Sequence, residues 1–168
     1  MIKLPSFSFA VLLTILVSSF SACSQNQEIA NNQNEKIVYK ISKTEDQWKE
    51  VLTDEEYKVL REKETEPAFS NEYNANKKKG TYLCAACEQP LFSSKAKFDS
   101  GTGWPSFFAP LEKNSVKEVL DKSYGMIRTE VVCSNCGGHL GHLFTDGPEP
   151  TGLRYCLNSV SLDFKKEK

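Results

Sequence analysis

No charge of either sign dominates this chain: 21 Lys and Arg stand against 22 Asp and Glu, for a formal net charge of −1. Residues 1–22 carry one lysine and no acid, so the remainder stands at −1 − 1 = −2. A near-neutral chain has no electrostatic footprint for nucleic acid, and no nucleic-acid partner is expected. A comfortable membrane span is missing too. The most apolar stretch, Phe7 to Phe20, is broken by small hydroxyl residues and falls short of the roughly 20 residues that a spanning helix needs. After Arg61 no apolar period of helix length appears, which excludes a helical bundle as the body of the protein. Nothing repeats except one short cysteine motif, so a repeat array is excluded as well. At 168 residues the chain supports one domain with a real core, not two sizeable ones.

The amino-terminal stretch reads as a targeting segment. Lys3 supplies a positive start, and the apolar run has the length of a signal-peptide core. It ends in Phe20-Ser21-Ala22-Cys23. Small residues before a cysteine resemble the cleavage box of a bacterial lipoprotein signal, although Phe20 stands where leucine is usual. The resemblance implies cleavage before Cys23, lipidation of its sulfur and an exported protein anchored on a membrane surface. An ordinary secretory signal cleaved nearby, or an uncleaved anchor, is the alternative. On this reading residues 1–22 are a leader and 23–36 a flexible polar tether, containing SQNQEIANNQNE. Residues 37–165 are the folded domain and 166–168 a tail.

Two short helices are expected early. Ser42 with Glu45, and Thr53 with Glu56, have capping-box spacing. The apolar stripes behind them, Trp48-Val51-Leu52 and Tyr57-Leu60, read as core. Residues 70–80 form a polar loop with a solvated lysine run. From Thr81 onward, short β-prone runs alternate with Gly, Pro, Ser and Asn: TYLCA, PLF, SFF, VKEVL, MIRTEVVC, HLGHLF, RYCLN and SVSLDF. The fold class is mainly β (α+β), an antiparallel β-sheet domain with short leading helices.

Four of the six cysteines come as CAAC (Cys84, Cys87) and CSNC (Cys133, Cys136). Two such pairs can meet and offer four thiolates to one structural Zn2+, with no position left open for chemistry. Gly137 and Gly138 permit the tight turn that a thiolate knuckle needs. Two disulfides are an alternative in an exported protein. A redox couple is another, but no helix signal follows either pair.

With Cys23 assigned to lipid, Cys156 is left over. Free cysteines are often buried as small hydrophobes. Here, however, Arg154 and Asn158 stand two positions away on either side, so all three side chains share one face of a strand. A cation beside a thiol raises its thiolate fraction. The only histidines, His139 and His142, fall in GGHLGHLF. They read either as a pair of metal ligands or as proton carriers near neutral pH. Trp104, crowded by Gly101, Gly103 and Pro105, is either core or a flat wall for a thioether.

These segments together resemble a known family. From about Trp48 to Phe164, through EEYKVLREKETEPAFS, GTYLCAACEQPLFSSKAKFDSGTGWPSF and EVVCSNCGGHLGHLFTDGPEPTGLRYCLNSVSLDF, the chain is similar to the B-type methionine sulfoxide reductases, which act on the R epimer. The resemblance implies a structural zinc on Cys84, Cys87, Cys133 and Cys136, and Cys156 as nucleophile. His139, His142 and Asn158 fall at catalytic positions, and Trp104 and Arg154 at substrate-binding ones. The implied substrate is oxidised protein or peptide methionine, and Cys156 passes through a sulfenic acid. Many members carry a resolving cysteine where this chain has Thr102. Reduction by an external thiol, such as a thioredoxin-like protein, is therefore expected, with no disulfide inside the chain. The segment around Asn74 to Lys79 also departs from the family. A monomer is expected.

Overall fold

The first helix is started by Thr44. Its hydroxyl accepts the Gln47 backbone N–H at 3.3 Å, and the Gln47 side chain accepts the Thr44 N–H at 3.0 Å. This closes a capping box ahead of α1 (Glu45–Val51). The box is not Ser42 with Glu45, because Gln47 answers Thr44 as a glutamate would. Thr53 and Glu56 cap α2 (Asp54–Leu60) as expected. Helices of 7 residues are marginal by themselves. These two are held by burying Trp48, Tyr57, Val59 and Leu60.

The chain is described by a computed structural model over residues 37–167. The leader, the whole tether and Cys23 lie outside the described residues. After α2, the regular structure is extended: β1 (Gly80–Cys84), β2 (Pro90–Ser93), β3 (Lys97–Phe98), β4 (Ser106–Phe107), β5 (Val116–Asp121), β6 (Arg128–Cys133), β7 (His139–Phe144), β8 (Arg154–Leu157) and β9 (Leu162–Lys166). All pairings are antiparallel. One sheet has the order β2-β1-β9, and the other β3-β4-β8-β7-β6-β5.

Two local expectations are corrected, and one strand is added. The SVS of SVSLDF is a single 3-10 turn, Ser159–Ser161, in which the Ser161 hydroxyl donates to the Asn158 carbonyl. Lys166, read as the start of a tail, pairs with Gly80 in the ladder. The two-residue β3 carries too little pattern to be seen in sequence.

The core is an aromatic pile. The Phe92 and Phe107 rings stack at 4.7 Å, and Tyr82 meets Phe107 edge-on at 5.0 Å. Tyr155 of β8 packs against Phe92 at 5.6 Å. Side chains alternate along a strand. Tyr155 therefore fixes which face of β8 is core and leaves its neighbour Cys156 to the other.

Candidate active site

The four paired cysteines converge. Their sulfurs all lie within 4.8 Å of one another. Cys84 Sγ is 3.7 Å from Cys136 Sγ, and Cys87 Sγ is 3.6 Å from Cys133 Sγ. A disulfide holds its sulfurs near 2.05 Å, and all four thiols are free. The short contacts run between the two motifs rather than within them. Hydrogen bonds to Cys133 and to the other thiols pull the Cys87 thiol down and push Cys84 and Cys136 up. Such crowding of acidic groups calls for a cation. The turn that makes the second knuckle uses Gly137 at φ +71°, and a Cβ there would lie 2.5 Å from the Tyr39 ring. Arg61, stacked over Trp48 at 5.0 Å, also donates to the Cys136 carbonyl at 3.3 Å. The helices are thereby tied to the cluster. Three of the four thiols are buried. A closed, four-sulfur set of this kind fits a structural metal.

Cys156 stands apart from that cluster. It sits on β8 opposite His142 of β7 on one side and Ser106 of β4 on the other. Between β7 and β8 the approach is tight: a Cβ on Gly141 would come within 2.1 Å of the Cys156 carbonyl oxygen. Only glycine lets the two strands close there. Cys156, Trp104, His142, Asn158, Phe144 and Arg128 line a small cleft of about 170 Å3. A larger cleft of about 760 Å3 lies among Lys77, Lys78, Lys79, Lys95 and Lys97, and Cys156 is not part of it.

Burial pushes the Cys156 thiol above its ordinary value. A hydrogen bond from Thr102 and the charge of Arg154 act in the opposite direction without overcoming burial. Arg154 acts in the expected direction, but burial outweighs it. Its guanidinium is held by Asp146 through two bonds, of 2.8 and 2.9 Å, and lies 4.2 Å over the Phe144 ring. The thiol therefore lies beside an arginine that is already paired with Asp146.

The histidines are arranged in depth. His142 faces the cleft, and its Nε2 meets Asp121 Oδ2 at 2.8 Å. Asp121 is itself bonded to Arg128 at 2.7 Å. Burial lowers the His142 pKa, with Asp121 opposing. His139 is buried and its Nδ1 meets Glu130 Oε1 at 2.8 Å. Glu130 is in turn bonded to Lys63 at 2.8 Å. The two imidazole centroids are 5.4 Å apart, edge to face. Neither histidine belongs to the sulfur cluster, so the metal-ligand alternative finds no support among the described residues.

Asn158 and Trp104 are placed by a residue that sequence reasoning missed. The Glu66 carboxylate, almost wholly buried, accepts the backbone N–H groups of Ser159 at 2.8 Å and Val160 at 2.9 Å. Its own N–H donates to Asn158 Oδ1 at 3.1 Å, and its carbonyl accepts from Trp104 Nε1 at 3.1 Å. The Asn158 amide donates in turn to the Leu140 carbonyl at 3.1 Å. One glutamate therefore fixes the wall and floor of the cleft. Asp121, which holds His142 and Arg128, Asp146, which holds Arg154, and Glu130, which holds His139, were missed as well. The Glu66 carboxylate lies 93 positions from Ser159, and Asp146 lies in a polar turn. The only available signal was an acid inside a β-prone run, as at Glu130.

The chain is similar to known proteins over most of its length. The SelR domain family matches residues 52–166. A "Peptide methionine sulfoxide reductase MsrB" of Methanosarcina mazei is 61% identical over 129 residues, covering 77% of this chain and 92% of that protein. Proteins of the same name from Teredinibacter turnerae and Leptospira interrogans are 59% and 56% identical, covering 75% and 77% of this chain and 93% and 98% of their own lengths. With the sulfur cluster, the cysteine cleft and this identity over most of its length, the chain belongs to the SelR domain family, that of the B-type peptide methionine sulfoxide reductases.

Proposed function

We propose that this protein reduces methionine-R-sulfoxide, chiefly within polypeptides, with Cys156 as nucleophile. The observation that carries the reading is a single free thiol sharing a small cleft with Trp104 and His142. Trp104 offers a ring face to the sulfoxide methyl, since thioether groups contact aromatic rings favourably. His142, directly across the strand pair, takes the Cys156 proton and passes it to the sulfoxide oxygen. Cys156 sulfur attacks the sulfoxide sulfur to form an S–S bond, and the protonated oxygen then passes to the Cys156 sulfur as that S–S bond and the original S–O bond break. Methionine leaves reduced by two electrons, and Cys156 keeps the oxygen as a sulfenic acid. The balance is closed: one thiol and one sulfoxide give one sulfenic acid and one thioether.

Resetting needs two outside thiols, for example from a thioredoxin-like protein. The first forms a mixed disulfide with Cys156 and releases water. The second frees Cys156 and leaves the outside pair oxidised. No resolving thiol adjoins Cys156: its sulfur neighbour is Thr102, and the other described cysteines sit in the cluster. Arg154 and His139 serve as supports, holding charge near the thiol and backing His142. Asn158 shapes the cleft floor.

The metal of the cluster is proposed to be Zn2+. A tetrahedron with Zn–S bonds of about 2.3 Å spaces its sulfurs about 3.8 Å apart, close to the 3.6 and 3.7 Å contacts here. Zinc would cross-link the two knuckles and take no part in the reaction. The lipid-anchored, exported setting rests on Lys3, the apolar run Phe7 to Phe20 and the box Phe20 to Cys23, and a monomer is the simplest form. Absence of fatty-acid label on the wild-type chain, or label that persists in Cys23→Ala, would refute the anchor.

The function is tested with separated R and S epimers of methionine sulfoxide, free and peptide-bound, using dithiothreitol as reductant. Turnover of the R epimer only is expected, with none above background for Cys156→Ser. Equal turnover of both epimers, or an active Cys156→Ser, would overturn the reading.

A further inference from the structure

The Cys156 sulfur ends a line of hydroxyls. Thr102 Oγ1 lies 3.9 Å from Sγ, Ser100 Oγ lies 2.8 Å from Thr102 Oγ1, and Ser106 Oγ lies 2.8 Å from Ser100 Oγ. The Trp104 carbonyl is 3.2 Å from Ser106 Oγ. Ser106 is fully buried and stands opposite Cys156 in the β4–β8 register.

The carbonyl sets the direction of this line, since it can only accept. With Ser106 donating to it, Ser106 accepts from Ser100, Ser100 from Thr102, and Thr102 from the Cys156 S–H. Each hydroxyl then gives its one proton and receives one. That polarity suits a thiol. A thiolate has no proton to give, and the same groups serve it when all three hydroxyls rotate. Ser106 then donates to Ser100, Ser100 to Thr102, and Thr102 to the sulfur. The reversal releases only the bond to the Trp104 carbonyl, the longest of the oxygen–oxygen contacts.

We propose that Ser100, Thr102 and Ser106 form a reversible hydrogen-bond chain that follows Cys156 between thiol, thiolate and sulfenic acid. Thr102, which touches the reacting sulfur, is a further catalytic residue. Ser100 is a positioning residue that acts through Thr102, while Ser106 also faces the sulfur directly. The inference rests on Cys156 being the nucleophile proposed above. It gives the waiting sulfenic acid a donor at Thr102 until an outside thiol arrives. It also slows a second oxidation, in which a peroxide would pass an oxygen to Cys–SOH, giving the sulfinic acid and the peroxide's alcohol or water.

The test is the pH dependence of Cys156 alkylation by iodoacetamide in the full-length protein, read on the Cys156 peptide by mass spectrometry. Losing a donor to a thiolate should raise the midpoint in Thr102→Val by about one pH unit, or roughly tenfold in rate below the midpoint. Thr102→Ser, which keeps the hydroxyl, should stay with the wild type. Ser100→Ala should fall between and carries the same test if Thr102→Val does not fold. After one equivalent of hydrogen peroxide, Thr102→Val should also show more sulfinic acid. An unchanged midpoint in both Thr102→Val and Ser100→Ala overturns the chain and leaves the nucleophile standing. An active Cys156→Ser removes the nucleophile, and the chain with it.

Discussion

The same side chain lives here in two opposite settings. At Cys84, Cys87, Cys133 and Cys136, thiols crowd one another within 4.8 Å, and no other chemistry enters. At Cys156, one thiol is surrounded by an imidazole, an indole and a hydroxyl, with no second thiol against it. In the first setting the sulfurs are mutual neighbours, so a cation is needed and a redox partner is not. In the second, burial pushes the Cys156 thiol above its ordinary value, while Thr102 and Arg154 act against it. Crowding makes a structural site and isolation makes a reactive one. The surroundings, not the cysteine, decide the role.

The sharpest way to break this comparison is to remove the metal. If the cluster is purely structural, chelation should unfold the domain rather than merely silence it. A site of this class contributes on the order of 10 kcal/mol. The prediction is joint loss of activity and near-UV circular dichroism on chelation, each restored by added zinc. Cys133→Ser should behave like the chelated protein. A chelated protein that keeps its fold while losing activity would move the metal into the chemistry and erase the contrast.

The two settings also differed in how far they could be read from sequence. The cluster was legible because each knuckle is local: two residues between the cysteines, then Gly137 at φ +71° to close the turn. The strands were legible from Tyr82, Val131, Leu140 and their alternating neighbours, which fill the core. The Cys156 surroundings were only half legible. Alternation placed Arg154 and Asn158 beside it, while the histidines entered through the family resemblance. Glu66 reaches Ser159 across 93 positions, and Thr102 reaches Cys156 across 54. Nothing local marks either contact, because each depends on how loops return over the sheet. Thr102 was visible as a missing thiol but not as a hydrogen-bond partner.

A second, smaller test separates the histidines. His142 lines the cleft, and His139 is buried against it. His142→Asn should lower kcat by roughly 10²–10⁴-fold, the usual contribution of positioned proton transfer. His139→Asn should cost less, because it acts through its neighbour. The pH profile adds a sign. Burial depresses the His142 pKa below 6.5, so its neutral, proton-accepting form is lost only as pH falls through that lowered value. Wild-type kcat/KM should therefore show an acid limb below pH 6.5 that vanishes in His142→Asn. An acid limb that instead vanishes only in His139→Asn would exchange their roles.

The smallest expected effect concerns Glu66, which joins the cleft to the 3-10 turn. Glu66→Gln keeps one acceptor oxygen and turns the other into a donor facing backbone N–H groups. Leaving a buried donor unmatched costs about 1–3 kcal/mol, and thermal or urea unfolding would show it. Burial holds the Glu66 carboxyl above its ordinary 4.5 despite the N–H groups of Val160 and Ser159. The folded state thus keeps a proton that the unfolded state has already released. Wild-type stability should fall as pH rises from about 4.5 through the folded value, and that slope should be absent in Glu66→Gln. The main-chain bonds to Asn158 and Trp104 survive the substitution, so KM and the pH dependence of Cys156 alkylation should both stay close to the wild type. A variant as stable as the wild type, with the same pH slope, would show that the turn positions itself and that Glu66 is only a passenger beneath the cleft.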